Sequence, residues 1–94
     1  MDRFVLDANK TLCMVQMTNN LPLLRARLNL SQEEFAEYVG MSRQTISAIE
    51  NKKKKMSWTT CMAFIAFFAS NDKTRKLLNT GSCVLDILNE VAAV

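Results

Sequence analysis

Three serines punctuate the middle of this chain, and each stands directly before a segment whose apolar residues recur at helical spacing. A serine hydroxyl there can accept from a backbone N–H of the first turn, a donor that has no partner inside the helix. Ser31-Gln-Glu-Glu34 has the form of a full capping box. The Ser31 hydroxyl can accept from the Glu34 N–H, and the Glu34 carboxylate can reach back to the Ser31 N–H. Leu30 and Phe35 flank that box at the spacing of a hydrophobic staple, and Met41 and Ile46 repeat the spacing around Ser42. Ser57 opens the third such segment. A turn-rich β-sandwich or barrel would need more Gly and Pro than the two and one present. The expectation is an all-α domain. Ninety-four residues, 49% hydrophobic and 22% charged, suffice for one ordinary folded core and not for two.

The helices can be placed in order. Asn19 or Asn20 caps the first, which puts Pro22 in its first turn, where a missing N–H does no harm. Leu21, Leu24 and Leu28 lie on one face, with Arg25 and Arg27 off it. Phe35, Ala36 and Val39 give the second helix its apolar side, and Gly40 supplies the left-handed exit. Ile46 and Ile49 bury the third, while Arg43, Gln44, Ser47, Glu50 and Asn51 share its polar remainder. Asn51 to Lys55 is a loop. Trp58 to Ala69 is apolar nearly all round and should be the central core helix. A short helix follows from Asn71 to near Asn79, with Leu77 and Leu78 inward. Gly81 breaks it, and Ser82 caps a last helix with the stripe Val84, Leu85, Leu88, Val91 and Ala92.

The first eighteen residues are the least legible. Phe4, Val5 and Leu6 fit a short strand, and Asp7 to Met17 fits a helix with Leu12, Val15 and Gln16 on one side. They are read as an accessory extension. The organisation expected is therefore an N-terminal extension (1–18), a helical domain (19–70) and C-terminal helices (71–94).

Charge and residue types remove several functions. Seven cations lie between Leu21 and Met56 (Arg25, Arg27, Arg43 and Lys52 to Lys55) against four acids (Glu33, Glu34, Glu37 and Glu50). The net +3 of the whole chain is thus the net charge of this middle segment, which suggests a polyanionic partner. With no histidine, Ser-His and Cys-His catalysis and histidine metal sites are excluded within one chain. No Gly-rich phosphate loop is present, so neither an enzyme nor a cofactor is expected. Cys13, Cys61 and Cys83 are odd in number and widely spaced, with no CxxC. That spacing favours small buried thiols in a reducing compartment over a disulfide framework or zinc site. The opening residues lack the apolar core of a signal peptide. The nine-residue apolar run Cys61 to Ala69 falls far short of the ~20 residues a membrane span requires. A cytoplasmic protein with no membrane partner is expected.

Two short helices meeting across Gly40-Met41-Ser42 make a helix-turn-helix layout, in which the second helix can protrude into a major groove. Gln32 to Asn51, with Leu24-Arg-Ala-Arg and Leu30-Ser-Gln before it, resembles the Cro/CI-type (XRE) helix-turn-helix of phage repressors and bacterial regulators. Ala36 stands where that family packs a small residue between the helices, Gly40 takes the turn, and Ile46 and Ile49 take the buried recognition-helix positions. The family often has Gly just after Asn51, where this chain has Lys52.

The resemblance implies a five-helix lambda-repressor-like domain, here with an additional C-terminal helix and the N-terminal extension. It implies a sequence-specific regulator of double-stranded DNA, a repressor, with the helix near residues 43–50 in the major groove. Ser42, Arg43, Gln44, Ser47 and Ala48 take the base-contacting positions. Arg can bond guanine O6 and N7, Gln can pair with adenine, and an Ala methyl can touch thymine. Gln32, Asn51, Lys52, Lys53 and Lys54 take the phosphate-contacting ones. Val84, Leu85, Leu88 and Val91 exceed what a helix covering so small a core needs, and a symmetric apolar contact would use them. A homodimer on an inverted-repeat operator follows. The competing reading is a protein-interaction module, such as the antitoxin-like subunit of a toxin–antitoxin pair, whose extension or last helix binds a protein partner.

Overall fold

The computed structural model of the chain describes the backbone of residues 3–78 and the side chains of residues 8–78. Every element among them is helical: α1 Arg3–Arg27, α2 Gln32–Val39, α3 Arg43–Glu50, α4 Trp58–Ala69 and α5 Asp72–Leu78. The five-helix, all-α, lambda-repressor-like expectation is met. The additional helix expected after Ser82 lies outside the described residues.

The largest departure is at the N-terminus. A strand at Phe4 to Leu6 and a helix start at Asn19 or Asn20 were expected, but one unbroken helix, α1, runs from Arg3 to Arg27 with Pro22 inside it. Asn20 does not cap, because its side chain is engaged within the helix. The Asn20 amide donates to the Gln16 carbonyl (2.9 Å), and the Thr18 hydroxyl donates to the Met14 carbonyl (2.8 Å). Both side chains bond back one turn inside a continuing helix. Pro22 is exposed, on the solvent side of the helix, and its missing N–H removes one bond to the carbonyl four residues earlier. The side of the helix that carries Leu12 and Val15 is not the buried one. Leu12 and Val15 are about half exposed, while Cys13, Met17, Leu21 and Leu24 are buried. These four recur at i, i+4, i+8 and i+11, a stripe that crosses residues 18 and 19 without interruption. Residues 13 and 17 therefore pack in the same core as the rest of the domain.

The serine caps form as the sequence predicts. Ser31 makes both halves of the capping box, accepting from the Glu34 N–H at 3.0 Å while its own N–H donates to Glu34 Oε1 at 3.1 Å. Those bonds hold the Glu34 carboxyl below the usual carboxylate range. Ser42 and Ser57 accept from the N–H groups of Thr45 and Thr60, each at 3.1 Å. At the other end, α1, α2 and α3 finish alike. A residue with positive φ (Asn29 at 56°, Gly40 at 72°, Lys52 at 61°) lets the next N–H turn back five residues, to the carbonyls of Arg25, Ala36 and Ala48. This is the Schellman closure, which satisfies carbonyls that the last turn leaves open.

The core is built on α4. Cys61, Phe64, Ile65 and Phe68 are fully buried, with Trp58, Met62 and Phe67 packed around them, as a helix apolar on most sides requires. Phe35 of α2 enters this group. Its ring stacks on Phe68 (5.3 Å between centroids, 12°) and meets Phe64 and Phe67 edge-on at 4.9 and 5.4 Å. The α5 helix is tied on by Thr74, whose buried hydroxyl donates to the Phe68 carbonyl at 2.6 Å. Burial pushes the free Cys61 thiol up to about 11, so it stays protonated near neutrality. Cys13 is disulfide-bonded, so the expectation of buried thiols throughout is corrected there. No helix among the described residues is long and apolar enough to cross a membrane.

Candidate nucleic-acid interface

The turn between α2 and α3 sets the exposed face of α3. Gly40 takes the left-handed exit, and a Cβ added there would meet nothing within 4 Å, so the demand for glycine is conformational and not steric. Ser42 is extended (φ −79°, ψ 152°) and caps α3 immediately afterwards. Ile46 and Ile49 then pin α3 to the core with essentially no exposure. The opposite side carries Arg43 and Gln44, both exposed, with half-buried Ser47 and Ala48 one turn on. Four of the five expected base-contacting positions therefore share one outward face of one helix.

Two hydroxyls at this face already have partners. Ser42 Oγ accepts from the Thr45 N–H and lies 2.8 Å from Thr45 Oγ1, an engagement that starts the helix. Ser47 Oγ accepts from the Asn51 amide at 3.3 Å. Arg43 and Gln44 have longer side chains with more free donors, and they are the better equipped to reach out from the helix.

The four lysines follow at once. Lys52 to Lys55 are all exposed, so four cations fan out just beyond the C-terminal end of α3. Lys52 is where a glycine is common in the resembled family, and its φ of 61° accounts for that preference. A left-handed conformation costs a residue bearing a Cβ roughly 1–2 kcal/mol that glycine avoids, partly offset by glycine's greater freedom when unfolded. Lys52→Gly is expected to leave the closure intact and raise stability by about 0.5–1 kcal/mol. Urea unfolding checks this through a higher midpoint at unchanged slope.

A polar network missed in the sequence braces α3 from behind. Arg25 of α1 donates to both oxygens of Glu50, Nε to Oε2 at 2.6 Å and Nη2 to Oε1 at 2.8 Å. Its Nη1 donates to the Leu30 carbonyl at 2.8 Å. Gln32 Nε2 donates to the same Glu50 Oε1 at 3.1 Å. The pair is largely out of solvent, with side chains 15% and 7% exposed. Hydrogen bonding to Glu50 raises the Arg25 pKa further above its ordinary value. Glu50 is thus not part of the outer polar face, as its place beside Asn51 suggested. It turns inward and joins three helices. The signal was present: Glu50 is four residues after Ile46 and Arg25 four after Leu21, so each stands at the margin of a buried stripe. Gln32, expected at a phosphate, has its amide nitrogen directed to this network.

The helix-turn-helix family profile matches residues 23–67, which contain α2, the turn, α3 and most of α4. Over 52 residues the chain is 44% identical to an uncharacterized HTH-type transcriptional regulator of Methanocaldococcus jannaschii, a stretch covering 55% of this chain and 79% of that protein. The chain belongs to the XRE-type helix-turn-helix family. It is also 53% identical over 34 residues to the uncharacterized HTH-type transcriptional regulator YgzD of Bacillus subtilis, covering 36% of this chain and 52% of YgzD. No solved structure matches the chain. In this helix-turn-helix protein the family match omits the first 22 residues, although Cys13, Met17 and Leu21 from that stretch are in the core. The residues expected to dimerise, Val84, Leu85, Leu88 and Val91, lie outside the described residues.

Proposed function

We propose that this chain is a sequence-specific transcriptional repressor that seats α3 in the major groove of double-stranded DNA as a homodimer. The observation that carries the reading is the outward face of α3, with Arg43 and Gln44 exposed opposite buried Ile46 and Ile49, directly before a loop of four exposed lysines. Arg43, Gln44, Ser47 and Ala48 read base edges, with Ser42 at the helix start. Asn51 and Lys52 to Lys54 grip phosphates, and Gln32 adds a contact from the start of α2. Repression follows from occupancy, because a domain seated in a groove excludes other proteins from the same site. The apolar stripe at Val84, Leu85, Leu88 and Val91 would join two copies, placing their recognition helices about one DNA turn, ~34 Å, apart on an inverted repeat. The two similar proteins bear the name of transcriptional regulators, which supports the same reading. The activity is binding and not catalysis, and it belongs in the cytoplasm with the DNA.

Base readout and phosphate neutralisation are separable by mutation. Arg43→Ala is expected to lose ~1–3 kcal/mol of discrimination at one base pair of the operator. Lys53→Ala is expected to weaken all sequences alike and to lower the slope of log affinity against log salt by about 0.9. Titrations over a panel of single-base operator variants at several salt concentrations measure both. Altered base preference in Lys53→Ala with unchanged salt slope would contradict the division of roles.

A further inference from the structure

Beside the lysine loop, α1 and the chain leaving α3 enclose an open groove of about 480 Å³. Its walls are mostly carbon, with Met14 and Val15 on α1 facing Met56 at the end of the loop. Val15 is 51% exposed, a large aliphatic side chain left in water. Among the described residues, the charged ones lining the groove are of one sign: Lys52, Lys54 and Lys55 are there, and none of the described lining residues is an acid.

We propose that this groove binds a soluble anionic amphiphile, an alkyl chain ending in a carboxylate. The chain lies against Met14, Val15 and Met56, and the headgroup sits among the three lysines. Charge selects the headgroup, since a cationic ligand meets three like charges and an uncharged one gains nothing from them. Size selects a small molecule. Ligand sites run to about 300–1,000 Å³, and this groove falls inside that range. A peptide helix about 10 Å across fills roughly 420 Å³ per turn, so the groove takes about one turn, too little for anchors at i, i+3, i+4 and i+7.

The consequence rests on the DNA-binding reading. Lys52 and Lys54 are assigned to phosphates, so a headgroup that engages them competes with DNA, and each ligand weakens the other by the same factor. The groove would then be an effector site.

The test uses the full chain without DNA. Decanoate, kept below its micelle concentration, is titrated by calorimetry beside decanol and decyltrimethylammonium. One saturable site is expected, with decanoate bound at least about tenfold more tightly than either probe, the effect of one charge-assisted contact. Val15→Glu adds a carboxylate to an exposed position of the wall, so folding should persist while decanoate affinity falls about tenfold or more. Lys54→Gln should lower it less. The proposal is overturned by any of four results. These are no saturable binding, equal binding of decanoate and decanol, unchanged affinity in Val15→Glu, or binding only to phosphatidylglycerol vesicles or an acidic peptide. DNA release is then followed by gel shift with both proteins. A chain that binds decanoate and no DNA would sink the regulator reading and leave the groove assignment standing.

Discussion

Glu50→Ala is expected to destabilise the domain by about 3 kcal/mol, toward the lower end of what breaking a buried ion pair costs. The loss comes less from the pair's own strength than from what remains. Arg25, only 15% exposed, would keep its charge and a single bond to the Leu30 carbonyl, and the Gln32 amide would lose its acceptor. Glu50→Gln keeps an acceptor but removes the charge, and about half that loss is expected. Replacing both partners with apolar residues of similar volume, Arg25→Met with Glu50→Leu, should recover most of the stability, because neither leaves a buried charge. Urea midpoints of the singles and the double give the coupling directly. A Glu50→Ala protein within about 0.5 kcal/mol of the parent would place it among ordinary surface substitutions and refute the bracing role. The same network joins α1, the start of α2 and the last turn of α3, so DNA affinity should fall in Glu50→Ala even under conditions where it remains folded.

Phe35→Ala should cost more, about 4 kcal/mol. The side chain is fully buried and touches three rings of α4, and removing it leaves a hole between α2 and α4. Aromatic pair contacts add roughly 0.5–1.5 kcal/mol beyond burial. Domains of this size have a total stability on the order of 5–14 kcal/mol, so this one change removes a large share. Tyr38→Ala is the matched control. Its ring also lies against Phe67, at 5.5 Å, but the residue is 69% exposed, and a loss of about 0.5 kcal/mol is expected. Thermal unfolding of the two variants should separate them by many degrees. Similar melting temperatures would mean that the aromatic group is not the centre of the core.

What could be read from the sequence follows from the range of the interactions involved. The capping box, the serine caps and the glycine exit are local, and Ser31, Ser42, Ser57 and Gly40 were placed correctly because each acts within four residues. The outward face of α3 was legible for the same reason, since Ile46 and Ile49 mark the inward one. Failures came where distant contacts decide. Asn19, Asn20 and Pro22 together read as a helix start, yet the stripe Cys13, Met17, Leu21 and Leu24 buries against the core and carries the helix through them. Tertiary burial outweighed a local capping signal. The Arg25–Glu50 bond spans 25 residues: the place of each at the margin of a buried stripe is legible, but their pairing with one another is not. Lys52 is the intermediate case. The missing glycine was visible, but only the backbone shows that the lysine adopts the glycine's conformation.

The proposed function requires that the exposed face of α3 read DNA sequence. Selection of bound duplexes from a random pool by the purified full chain tests it most directly, at roughly physiological salt because the phosphate term is salt-sensitive. An enriched inverted repeat is expected, with Arg43→Ala and Gln44→Ala each relaxing preference at a defined position in both halves. A folded protein that binds DNA at low salt but enriches no sequence would contradict that function, leaving only the charge of the lysine loop.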